Sequence, residues 1–181
     1  MRRAASSTEL DRADHDARSG FESGLSPWTV TFEIDGTSSG SNYAVRGPGY
    51  NSNNALYVSN VNDGSYPYQY GDVTQMITTC VGGTYQVSGY AYQTRCAGPS
   101  RALASGSRLT PPCSGDDEGY VYIITADNDN VYQQQAASGW SQIGGSFTAT
   151  SPVTTLTFKF ISVQYDNANF ALDTVSVVAA S

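Results

Sequence analysis

From Phe21 onward, short apolar and aromatic runs are separated by clusters of Gly, Asn, Asp, Ser and Pro, and no segment holds a 3.6-residue period over three turns. The pattern predicts strands at 28–32, 42–46, 55–58, 68–79, 84–93, 120–126, 131–136, 141–147, 155–163 and 170–178. About ten strands exceed the needs of a plain immunoglobulin-like domain and suit an antiparallel β-sandwich of jelly-roll type.

Period-2 alternation assigns faces within the clearest runs. In 84–93, Tyr85, Val87, Gly89 and Ala91 form a core set, and Gln86, Ser88, Tyr90 and Tyr92 point the other way. In 155–160 the core set is Leu156, Phe158 and Phe160. Phe170 and Leu172 define an inner face until the phase shifts near Asp173 and Thr174, where a bulge is expected. Trp28 and Trp140 each open a predicted strand beside a turn and are expected in core or edge packing. The run Asp127–Asn128–Asp129–Asn130 reads as a hairpin turn, because Asn and Asp tolerate left-handed backbone conformations.

Two segments lie outside this pattern. Residues 1–18 carry four Arg and little apolar surface, lack the apolar stretch of a signal peptide, and are read as a disordered tail or processing remnant preceding a domain at 19–181. Residues 96–118 form a 23-residue stretch rich in Pro, Gly and Ser with no element pattern, expected as a long loop inside the domain.

Composition removes several function classes. The formal charge of -7, with 9 Lys+Arg against 16 Asp+Glu, disfavours nucleic acid and anionic membranes. No apolar stretch approaches the roughly 18–20 residues of a membrane-spanning helix. His15 is the sole histidine, which removes His-based triads and multi-His zinc sites. Paired acids for glycoside hydrolysis are not selected by any spacing, and the acidic run Asp116, Asp117, Glu118 lies inside the long loop. Thirteen Tyr and 18 Gly, with Lys159 the one lysine, are the composition of a β-rich extracellular protein that meets neutral, hydroxyl-bearing ligands. Three cysteines without a C-x-x-C spacing point to one disulfide in an oxidising compartment, from Cys80 to Cys113 or to Cys96.

Three segments together, GFESGLSPWTV at the start, GGTYQVSGYAY in the middle and NFALDTVSVV at the close, resemble the galactose-binding-like jelly-roll domains, in particular fungal carbohydrate-binding-module-like proteins. The resemblance implies that the first and last strands lie together, bringing Glu22 near Asp173. It also implies a structural calcium there, with carbonyls near residues 35–39 completing an oxygen shell. Thr174 stands where the resemblance leads one to expect a second Asp. No organic cofactor is implied.

Tyr90 and Tyr92, opposite the core set, together with Tyr122 and Gln133 on the following strand pair, are the candidate ligand residues: Tyr rings stack on the apolar face of a sugar and amides bridge its hydroxyls. The expected function is a carbohydrate-binding or lectin-like module for a neutral glycan. The alternative is a natural-product cyclase of the hetero-Diels-Alder type, suggested by some fungal proteins with this kind of sandwich. It would hold a hydrophobic small molecule in a near-attack geometry without a conventional catalytic set.

Overall fold

The computed structural model describes residues 17–34, 42–59, 69–93, 120–135, 139–162 and 169–180. Within them the chain forms eleven strands and one 3₁₀ turn, Phe21–Ser23. The strands are β1 (Ala17–Ser19), β2 (Thr29–Ile34), β3 (Asn42–Arg46), β4 (Ala55–Ser59), β5 (Gln69–Thr78) and β6 (Thr84–Gln93), then β7 (Tyr120–Ala126), β8 (Asp129–Gln135), β9 (Gly139–Thr148), β10 (Val153–Ser162) and β11 (Phe170–Ala179).

The strands divide into two antiparallel sheets. The first runs β3-β4-β11-β6-β9, with β1 also on β11, and the second runs β2-β5-β10-β7-β8. This is an all-β antiparallel sandwich of jelly-roll type, as the turn-punctuated pattern predicts. β1 is an addition: Ala17 and Arg18 fall in the segment expected as a tail, yet they pair with Val177 and Ser176. Backbone hydrogen bonding recruits them without any apolar signal in the sequence.

The inward faces follow the alternation. Tyr85, Val87, Ala91, Leu156, Phe158, Phe160, Phe170 and Leu172 are all buried. Trp28 packs edge-on against Phe158, with ring centroids 5.8 Å apart. Tyr85 stacks on Phe147 at 5.4 Å. The expected bulge lies in β11, where the register steps from Asp173↔Tyr90 to Ser176↔Ser88, one more residue on β11 than on β6. Thr174 takes φ 50° there, and the extra residue lets Leu172 and Val175 both face inward. The Asp/Asn run does close a two-residue hairpin between β7 and β8, with Asp127 at φ 50° and Asn128 at φ 74°, the positive pair that a type I′ turn requires.

Along one side the two sheets close on each other, β9 meeting β8. A Cβ on Gly145 would lie 2.5 Å from the Val131 carbonyl oxygen, so only glycine admits this approach. At one end of the sandwich lie the strand ends that flank 35–41, 60–68, 94–119, 136–138 and 163–168, all outside the described residues. The expected loop at 96–118 and the acids at 116–118 lie outside the described residues.

Cys80 lies in the turn between β5 and β6, at the opposite end from Gln93 and Tyr120. Its thiol is free and exposed. Cys113 and Cys96, the expected disulfide partners, lie outside the described residues.

Candidate functional site

On the outer face of the first sheet, strand register sets side chains in rows. Tyr57 on β4 pairs with Ala171 on β11, Ala171 with Tyr92 on β6, and Tyr92 with Trp140 on β9. One step along, Asp173 pairs with Tyr90 and Tyr90 with Gln142. Side chains directly opposite on antiparallel strands have Cβ atoms roughly 4.5–5.5 Å apart, so these rows are contiguous surface. Tyr92 and Trp140 lie 5.3 Å apart, tilted at 44°. Tyr57, Tyr90, Tyr92 and Trp140 are all half-buried, and Gln142 is exposed.

A fifth ring comes from outside the strands. Tyr50, in the 47–54 connection between β3 and β4, lies flat over Tyr90 at 3.6 Å with an interplanar angle of 15°. Its centroid is also 5.9 Å from that of Trp140. Side-chain hydrogen bonding to Tyr50, with desolvation adding, holds the Tyr90 phenol above its ordinary range. At the far side of the row the Tyr57 hydroxyl donates to the Pro48 carbonyl at 2.6 Å, and the Arg46 guanidinium sits 4.7 Å over the Tyr57 ring. Burial pushes the Tyr57 phenol up, against the opposing pull of Arg46.

The 47–54 connection is tied down by two carboxylates. Asp173 Oδ2 accepts the Tyr50 N–H at 2.7 Å and the Ser52 hydroxyl, and Asp173 Oδ1 accepts the Thr174 N–H at 2.7 Å. Glu22 Oε1 accepts the N–H groups of Asn53 and Asn54 at 2.9 and 3.0 Å. Asp173 is fully buried although it points to the outer face, because this connection covers it. Glu22 and Asp173 therefore do converge, on one loop: a Cβ placed on Gly20 would be 3.9 Å from both Asp173 Oδ1 and Glu22 Cγ. The carbonyls expected from 35–39 lie outside the described residues, and no cluster of three or more His, Cys, Asp or Glu side chains occurs among the described ones.

Tyr90 and Tyr92 occupy the outer face that alternation assigns them. Tyr122 does not join them, and its expected place in the site is corrected. It is 1% exposed, among Phe160 and Phe170 with centroids 5.8 and 6.0 Å away, and desolvation drives its phenol far above the tyrosine range. Gln133 is exposed, but on β8 of the second sheet, where its Oε1 accepts Asn130 Nδ2 at 3.1 Å. The chain crosses between sheets after β6, and the β7–β8 hairpin joins β10, which takes both residues away from the outer face of the first sheet.

Trp140, expected in core or edge packing, lies on β9, the edge strand of the first sheet, and belongs to the outer aromatic row. The signal was available: Ile143 and Phe147 are the buried residues of β9, and alternation from them puts position 140 outside. Trp28 is buried as expected. Tyr50 carries no periodic signal, because its connection is irregular.

No protein-family model matches the sequence, and no curated protein matches it. Solved structures match by shape. The fold is shared with carbohydrate-binding modules. A Clostridium thermocellum xylanase 10B fragment, family 22 module plus catalytic module in complex with xylohexaose, aligns at TM-score 0.57 and 14% identity over 92% of this chain, which spans 29% of that one. A xylan-binding family 22 domain aligns at TM-score 0.55 and 13% identity, covering 93% of this chain and 97% of its own. A family 61 module in complex with β-1,4-galactotriose aligns at TM-score 0.52 and 12% identity, covering 89% and 94%.

Proposed function

We propose that the protein binds a neutral glycan, without catalysis, on the outer face of its first sheet. The observation that carries this is the cluster of Tyr50, Tyr90, Tyr92 and Trp140 rings on one face. Tilted neighbouring rings offer stacking surfaces to successive sugar units, and the exposed Gln142 amide beside Tyr90 offers a donor and an acceptor to their hydroxyls. A module of the same fold solved with galactotriose, and a two-module fragment containing such a module solved with xylohexaose, support the ligand class. No observation favours the cyclase alternative.

Isothermal titration with xylohexaose and with β-1,4-galactotriose tests the reading. Tyr92→Ala is expected to cost about 1–3 kcal/mol of binding, roughly 5- to 150-fold in affinity, with the fold retained. Loss of stability with affinity per folded molecule unchanged would assign Tyr92 to packing and take the site off this face.

Two further proposals accompany this one. An extracellular setting fits a glycan ligand and the Lys-poor, Tyr-rich composition. A structural calcium fits the convergence of Glu22 and Asp173: both Glu22 bonds fall on Oε1, and the ion would tie the first turn to β11 through carboxylate oxygen.

A further inference from the structure

We propose that Tyr50 presents the ring on which a sugar stacks, with Tyr90 its support from beneath and Asp173 the positioning residue that fixes it there. This deepens the glycan reading and rests on it. The Tyr50 and Tyr90 rings are 3.6 Å apart, the contact distance of carbon atoms, so nothing enters between them. Tyr50 thus covers the face of Tyr90 on which it stacks and presents its own other face in its place.

Tyr50 is held as a wall and not hung as a flap. Its N–H is bound by Asp173 Oδ2 at 2.7 Å, and its carbonyl accepts the Thr174 hydroxyl at 3.4 Å. Both anchors sit at the β11 bulge, whose extra residue brings Asp173 and Thr174 beside the connection. Ser52 donates to the same Oδ2, and Asn53 and Asn54 are held by Glu22. Gly49 lets the backbone pass this close: a Cβ there would lie 2.5 Å from Asp173 Oδ2 and 2.0 Å from Ser52 Oγ. With backbone fixed on both sides of the ring, Tyr50 meets Trp140 at 57°, an angled corner standing one ring above the sheet. A preorganised corner loses little freedom on binding, which favours affinity.

The experiment measures xylohexaose and galactotriose affinity for wild type, Tyr50→Ala, Tyr50→Phe, Ser52→Ala and Asp173→Asn. It adds Ser52→Ala and Asp173→Asn in the Tyr50→Ala background, and NMR of ring-labelled tyrosine across alkaline pH. Tyr50→Ala is expected to weaken binding by about tenfold or more, and Tyr50→Phe to keep most of it. Ser52→Ala and Asp173→Asn are expected to weaken binding when Tyr50 is present and to change nothing further once it is alanine, the mark of action through Tyr50. Ser52→Ala keeps the buried carboxylate and serves if Asp173→Asn does not fold. In Tyr50→Phe the Tyr90 phenol is expected to titrate lower than in wild type, because the side-chain hydrogen bond to Tyr50 that holds it up is gone. Tighter or unchanged binding by Tyr50→Ala overturns the inference and leaves the glycan reading standing. Wild type that binds neither sugar overturns the glycan reading, and the inference with it.

Discussion

Replacing Tyr122 by phenylalanine removes one hydroxyl from the middle of the sandwich and leaves the ring shape intact. That hydroxyl has no hydrogen-bond partner among the described residues, and the residue is 1% exposed. A buried polar group left unpaired costs about 1–3 kcal/mol, so the substitution is expected to stabilise the domain by about 1–2 kcal/mol. For a chain of this size the melting temperature rises by about 3–6 °C. The gain also depends on pH in a fixed direction. Desolvation raises the folded-state phenol above its unfolded value of about 10, so the unfolded chain releases the proton first. The wild type therefore loses stability through this group, about 1.4 kcal/mol per pH unit, as pH climbs past about 10, and the Tyr122→Phe variant does not. Chemical denaturation of both proteins at neutral pH and at several alkaline values gives the difference directly. Equal or lower stability of Tyr122→Phe, or a difference that stays flat with pH, would refute the reasoning by showing the hydroxyl paired or hydrated. Glycan affinity is expected to be unchanged, since the ring lies in the core.

Gly145→Ala is expected to cost several kcal/mol, as its Cβ would meet the Val131 carbonyl oxygen at 2.5 Å and force β8 and β9 apart; an unchanged denaturation midpoint would contradict it. If calcium bridges Glu22 and Asp173, chelator lowers the melting temperature of wild type and leaves Asp173→Ala unmoved; a wild-type curve indifferent to chelator removes the ion. Cys80, free and exposed here, is expected to react with a maleimide in the native, non-reduced protein. Protection of Cys80 that reductant relieves would instead restore the disulfide to Cys113 or Cys96.

Alternation along a strand is local and has two values, and so the inward set of β6, β10 and β11, the β11 bulge and the β7–β8 turn were all legible from the sequence. Each rests on a steric or burial rule acting within a few residues: the pleat, the extra residue, the tolerance of Asn and Asp for positive φ. Sheet membership has no such local rule. β6 and β7 are consecutive in the chain and sit in different sheets, which turns Tyr122 into core and carries Gln133 away from Tyr90. That outcome depends on which apolar faces bury one another, a property of all eleven strands together. Tyr50 lies further still from any local signal. The bond from its N–H to Asp173 spans 123 positions, and only the paired strands bring the two together, so the ring that completes the aromatic face was decided by the tertiary structure.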